Sequence, residues 1–240
     1  MTNSKNSSYY DNEIKKMYKD SKLLIIDLDG TLIDFEKIDN IIIARLFPDN
    51  KIINTIDNIL WKVNRFDVFG NGYGGLKIRL AIYSLFSNYN LKQCKEYYAK
   101  IYENLARLEL CSIYNSTLKY IIDKGYDIVI ATKNVYAKNI LKSNIFNLNS
   151  SRRSKIKLLV LKKNKKQQFK DLVEQYNGKV CVIGNNLSDD IFNSYRIRSP
   201  YIYIGKSKIV ELVIRATNIL FKKKGIQFRS IKNIKKLFLD

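Results

Sequence analysis

Two acids, Asp27 and Asp29, stand two positions apart directly after the apolar run Leu23-Leu24-Ile25-Ile26, and Gly30 and Thr31 follow them. Carboxylates this close repel one another, so a cation or a shared proton must make the pair tolerable. Both solutions are useful chemistry. One carboxylate can attack as a nucleophile while the other moves a proton. The blander account is a strand end followed by an Asp-Gly turn, but D-x-D-G-T behind an unbroken apolar run is far more specific than a lone D-G.

The elements that must position this pair are legible around it. A short, wholly apolar run reads as a strand buried on both faces of a parallel sheet. Ligands of open α/β sheets bind beyond the carboxyl ends of such strands, which is where Asp27 falls. Asp29 can swing back to the same spot, and Gly30 lets the chain leave the strand sharply.

The motif resembles the first signature of the haloacid dehalogenase (HAD) superfamily, most members of which are magnesium-dependent phosphohydrolases working through an aspartyl-phosphate. The resemblance implies Asp27 as nucleophile and Asp29 as general acid/base. The dehalogenase branch carries no acid at the second position, so Asp29 points to phosphoryl transfer. Thr132-Lys133-Asn134 follows the apolar run Ile128–Ala131, and a hydroxyl with backbone N–H groups at a strand end makes a phosphate cradle. Thr132 resembles the second family motif, and Lys133 joins it as a phosphate contact. Lys162, directly after Ile156–Leu161, is best placed for the family's charge-neutralising lysine, with Lys163, Lys165 and Lys166 as competitors. Gly184-Asn185 with Asp189 and Asp190 resembles the fourth motif, which binds Mg2+. Here Asn185 replaces the usual acid, offering a neutral oxygen in place of a charge. By resemblance the metal set is Asp27, Asp29, Asn185, Asp189 and Asp190. Acids at a helix start also suit the helix dipole without any metal.

The expected architecture is α/β: a Rossmann-like parallel sheet core, residues 1–34 and 112–240, with an inserted α-helical cap over 35–111. Ile38-Ile41-Ile42-Leu46 and Ile56-Ile59-Leu60-Val63 recur at helical spacings, as do Leu80-Ala81-Leu85 and Tyr97-Ile101-Leu105. Asn115 or Ser116 is expected to cap a helix that Gly125 ends. Further strands are expected at Asp127–Thr132, Ile156–Leu161, Lys179–Ile183 and Tyr201–Ile204, then a helix, a short segment near Ile226–Phe228 and a last helix. Phe69–Gly75 formally contains G-x-G-x-x-G, but no β-α-β frame surrounds it, and an inter-helix loop is the expectation. Lys77 and Arg79 behind it read as solvated helix residues, with contact to an anionic substrate as the alternative.

Composition removes whole classes of chemistry. The chain of 240 residues has no histidine, which excludes Ser-His-Asp triads and His-ligated zinc. Cys94, Cys111 and Cys181 are too few and too scattered for a disulfide framework, and none has the Arg six residues on that a cysteine phosphatase needs. Residues 1–20 are polar and lack the apolar core of a signal peptide, and no apolar run approaches roughly 20 residues. The expectation is a soluble cytoplasmic protein with no membrane partner. The net charge of +21 would favour anions, nucleic acid among them. It gathers in residues 152–170 and the tail from Lys206. No nucleic-acid motif accompanies it, and abundant Lys, Asn, Ile and Tyr suit an A/T-rich coding sequence. The expected partner is a small phosphorylated substrate. A phosphomutase, a nucleic-acid end phosphatase and a non-catalytic binding protein are the alternatives.

Overall fold

The computed structural model describes residues 18–47, 52, 53, 55, 56, 59, 73–142, 150–161, 165–186, 190, 192–205, 208–221 and 225–228. Its centre is a six-stranded sheet in the order β3-β2-β1-β4-β5-β6. The strands are β1 Leu23–Asp27, β2 Asp127–Thr132, β3 Ile156–Val160, β4 Val180–Gly184, β5 Tyr201–Ile204 and β6 Gly225–Phe228. Every neighbouring pair is parallel. The architecture is the Rossmann-like α/β fold expected from the sequence.

Period-2 alternation along the strands explains why both faces are covered. Leu24, Ile26, Ile128, Ile130, Cys181 and Ile183 enter one buried cluster with Ile38, Ile42, Leu80, Tyr98, Ile121 and Ile122. Leu23, Ile25, Val129, Ala131, Val180 and Val182 enter the other, with Phe169, Val210 and Ile214. Leu23 to Ile26 are fully buried, and each such side chain is worth about 1.5–3 kcal/mol of burial. That anchorage makes the end of β1 a rigid platform for Asp27.

Between β1 and β2 lie helices α1 Phe35–Leu46, α2 Tyr73–Leu85 and α3 Leu91–Ile113. Asp34 starts α1 by accepting from the Lys37 backbone N–H. Asn90 and Gln93 start α3 with a reciprocal capping box. Tyr73, Gly74 and Gly75 lie inside α2, where a loop was expected, and Phe69–Gly72 fall outside the described residues. So do Leu60 and Val63.

Helix α3 does not stop near Cys111. It passes through a wider π-type turn, Tyr114–Leu118, into α4 Lys119–Asp123. The expected cap at Asn115 or Ser116 is therefore corrected: both sit inside that turn, and no side chain caps it. The Ser116 hydroxyl bonds back to the Ile113 carbonyl, a choice open to Ser within a helix. Gly125 ends the helical run at φ +98°, as its type suggests.

The stripe that α3 buries also differs from the one read first. Cys94, Tyr98, Tyr102, Ala106 and Leu110 face inward, and Tyr97 is half-exposed. Both rows have i, i+4 spacing; the chosen row is the one whose tyrosine hydroxyls meet carboxylates. In α2, Leu85 is likewise exposed and Leu80 buried. Beyond β2 come helices α5 Ser150–Lys155, α6 Lys165–Gln175, α7 Phe192–Arg196 and α8 Lys208–Phe221. The segment near Ile226–Phe228 is β6, paired to β5. The last helix expected after it lies outside the described residues. Among the described residues, no helix is long and apolar enough to cross a membrane.

Candidate active site

The strand order makes a topological switch between β1 and β4. From β1 the chain moves outward through β2 and β3, then crosses to β4 and moves the other way. The crevice outside the carboxyl ends at such a switch is where open α/β sheets receive ligands. Asp27 closes β1 in register with Ala131. On the other side Gly184 follows Ile183, which pairs with Ile26. The Asp27, Thr132 and Gly184 ends thus share one rim.

After Asp27 the chain makes a tight loop. The Leu28 carbonyl accepts from the N–H groups of Thr31, Leu32 and Ile33, and Gly30 N–H donates to the Ile33 carbonyl at 2.8 Å. Gly30 has φ +80°, and a Cβ there would lie 2.1 Å from Asn185 Nδ2. Only glycine allows both the left-handed backbone and this contact. The Asn185 side chain is thereby brought against the first motif.

The loop turns Asp29 back to the end of β2. Its Oδ2 accepts from Thr132 Oγ1 at 3.1 Å, and its Oδ1 accepts from the Tyr102 hydroxyl at 2.6 Å. Asn134 Nδ2 lies 3.5 Å from the same Oδ1. Thr132 Oγ1 in turn accepts from Asn134 N–H at 3.0 Å. Its one hydroxyl proton therefore points to Asp29. Asn134 Oδ1 caps the short 3-10 turn Val135–Ala137.

Tyr102 is fully buried. Burial first, then the Asp29 charge and the hydrogen bond to it, push its phenol well above the ordinary range. It stays protonated and acts as a donor. Phe35 meets its ring edge-on, and Tyr98 stacks on it at 6.3 Å between ring centres.

A second buried cluster lies deeper among the helices. Arg79 Nη2 donates to Asp39 Oδ2 at 2.6 Å, Tyr98 to Asp39 Oδ1 at 2.7 Å, and Arg79 Nε to the Tyr83 hydroxyl at 3.1 Å. Arg79 is only 3% exposed. The expectation of a solvated Arg79 is corrected: a helix position next to a buried carboxylate carries an internal ion pair. The side chain of Lys77 falls outside the description.

At the β4 end, Asp190 is buried and accepts from Asn186 N–H through Oδ2. A Cβ on Gly184 would lie 2.2 Å from that oxygen, so the missing methyl is what admits the carboxylate. Lys133 follows Thr132 and is half-buried. Lys162 and Asp189 fall outside the described residues. The structure therefore gathers Asp27, Asp29, Thr132, Asn185 and Asp190 along one rim. Tyr102 and Asn134 join them and were missed from sequence. The signal for Tyr102 was its place in the i, i+4 row Tyr98-Tyr102-Ala106.

Among the described residues, no three acids, cysteines or histidines group as a metal cluster. The rim nonetheless offers oxygen donors from Asp27, Asp190 and the Asn185 amide. These hard ligands suit Mg2+ and not a soft metal, and the space left open at Gly30 and Gly184 is what admits two of them. The residues present fit such an ion.

The model of the haloacid dehalogenase-like hydrolase family matches residues 21–192, and the chain belongs to that family. The structure is similar to that of YfnB from Bacillus subtilis, a HAD-hydrolase solved with magnesium bound: TM-score 0.60, 14% identity, 92% of this chain and 99% of that one. It is also similar to L-2-haloacid dehalogenase from Xanthobacter autotrophicus, with TM-score 0.54, 12% identity, and coverage of 91% and 98%. A haloacid dehalogenase-like hydrolase from Burkholderia xenovorans gives TM-score 0.54 at 11% identity, with the same coverages. At these identities the likeness concerns the fold. A search of curated protein sequences finds no significant match.

Proposed function

We propose that the protein is a Mg2+-dependent phosphohydrolase acting on a small phosphorylated metabolite through an aspartyl-phosphate at Asp27. One observation carries the choice over a dehalogenase: a second carboxylate, Asp29, is held at the same rim by Thr132 and Tyr102. Displacement of halide needs no such group; release of an alkoxide does.

An Asp27 carboxylate oxygen attacks phosphorus, and the bond from phosphorus to the ester oxygen breaks. Asp29 enters this step as the carboxylic acid and gives its proton to that leaving oxygen; the Thr132 and Tyr102 hydroxyls then donate to the carboxylate left behind. Asp29 then takes a proton from the water whose oxygen attacks the aspartyl-phosphate, releasing inorganic phosphate and restoring Asp27. Thr132, Lys133 and Lys162 hold the phosphoryl oxygens. Asp27, the Asp29 backbone carbonyl, Asn185 and Asp190, with Asp189, would hold Mg2+, which would supply positive charge between two anions that otherwise repel. The helices between β1 and β2 exclude water while the first step proceeds.

The test is phosphate release from a panel of metabolite phosphates with Mg2+, in the native chain and in Asp27→Asn. Activity that needs Mg2+ and is lost in the variant supports the proposal. Undiminished turnover by Asp27→Asn ends it.

A further inference from the structure

We propose that Tyr102 is a positioning residue for Asp29: its hydroxyl, carried on α3, fixes the carboxylate so that the proton reaches the leaving oxygen. This rests on the reading of Asp29 as acid/base.

Three observations converge on the phenol. The contact joins residues far apart in sequence and is short, at 2.6 Å. Asp29 is thereby gripped from two sides, Oδ1 from the helical layer and Oδ2 from Thr132 at the end of β2. A carboxylate held at both oxygens cannot rotate about its terminal torsion, which is otherwise broad. The phenol itself has no freedom to spare. It is fully buried, stacked on Tyr98 and met edge-on by Phe35. Tyr98 is in turn bonded to Asp39, which Arg79 engages. The direction in which Tyr102 points is set by this packing and not by the substrate. The contact carries α3 directly onto the loop that follows β1.

The discriminating readout is the dependence on leaving group. p-Nitrophenolate departs without a proton, whereas an alkoxide needs one. Tyr102→Phe keeps the ring and its stacking but deletes the donor. It should lower kcat/KM for an alkyl phosphate about tenfold or more, within the range a general acid supplies. With p-nitrophenyl phosphate the change should stay within about threefold, because the acid adds little there. Phe35→Leu loosens the same phenol from its side. It should move the ratio in the same direction by less, and it keeps the question open to test if Tyr102→Phe fails to fold. Equal losses on both substrates, or an unchanged ratio in the folded variants, overturns the proposal. Full activity of Asp27→Asn in the same assays would overturn the phosphohydrolase reading itself, so the two failures are distinguishable.

Discussion

Replacing Asp39 by Ala should destabilise the protein more than any surface charge change, and the structure allows the size to be worked out. Asp39 is fully buried and accepts from Arg79 at 2.6 Å and Tyr98 at 2.7 Å. The Arg79 and Asp39 side chains are 4% and 0% exposed. Asp39→Ala takes from a buried guanidinium the carboxylate it donates to, and from a buried phenol its acceptor. Removing one member of such a pair costs about 3–5 kcal/mol, roughly a fifth or more of the ~5–15 kcal/mol that holds a typical domain. At an m value of about 2–3 kcal/mol/M, the urea midpoint falls by ~1–2.5 M. The assay is urea unfolding followed by circular dichroism, with coincident probes establishing a single transition. Glu96→Ala is the control, since Lys92 and Glu96 are 86% and 66% exposed; it should change stability by less than ~0.5 kcal/mol. Adding Arg79→Met to Asp39→Ala should recover part of the loss, because the orphaned charge is then gone. If Asp39→Ala costs no more than Glu96→Ala, the buried pair does not hold these helices together.

Two further outcomes follow from the same geometry. Gly184→Ala places a Cβ 2.2 Å from Asp190 Oδ2, so the carboxylate must move; the Mg2+ concentration for half-maximal activity should rise about tenfold or more, as for displaced ligand shells, in a chain whose circular dichroism is native. Tyr18, Tyr98 and Tyr102 are all raised well above the ordinary phenol range, burial being the leading cause. The folded chain thus keeps protons that the unfolded chain releases above about pH 10; the stability they contribute is whole below that pH and is lost as pH rises past it. Tyrosinate absorbance should therefore appear in two stages, the second coinciding with loss of ellipticity, whereas a single stage with the fold intact contradicts the burial.

The parts of the fold that were legible in advance are those where one physical signal dominates. Leu23–Ile26 and Ile128–Ala131 are apolar throughout, so strands buried on both faces follow directly. The rim residues Asp27 and Thr132 were placed by strand ends together with the family resemblance, and Asp29 and Asn185 by the resemblance of their motifs. What stayed hidden depended on choices between near-equal local options. Residues 97, 101, 105 and residues 98, 102, 106 are equally good helix faces until Asp29 and Asp39 select the hydroxyl-bearing one. Asn115 and Ser116 look like caps, but packing of Leu118, Ile121 and Ile122 into the core carries the helix through them. Gly225–Phe228 is too short to call by itself and becomes a strand through its pairing with Tyr201–Ile204. Arg79 gave no sign of burial, because its partner lies 40 residues earlier in the chain.

The central claim is that Asp27 carries the phosphoryl group during turnover. Quenching the enzyme in acid while it hydrolyses a good substrate with Mg2+, then weighing its peptides, addresses this most directly. The account expects one added phosphoryl group on the peptide containing Asp27, absent from Asp27→Asn and lost on chase. A chain that turns over the substrate fully and never gains that mass, or gains it at another residue, contradicts the account.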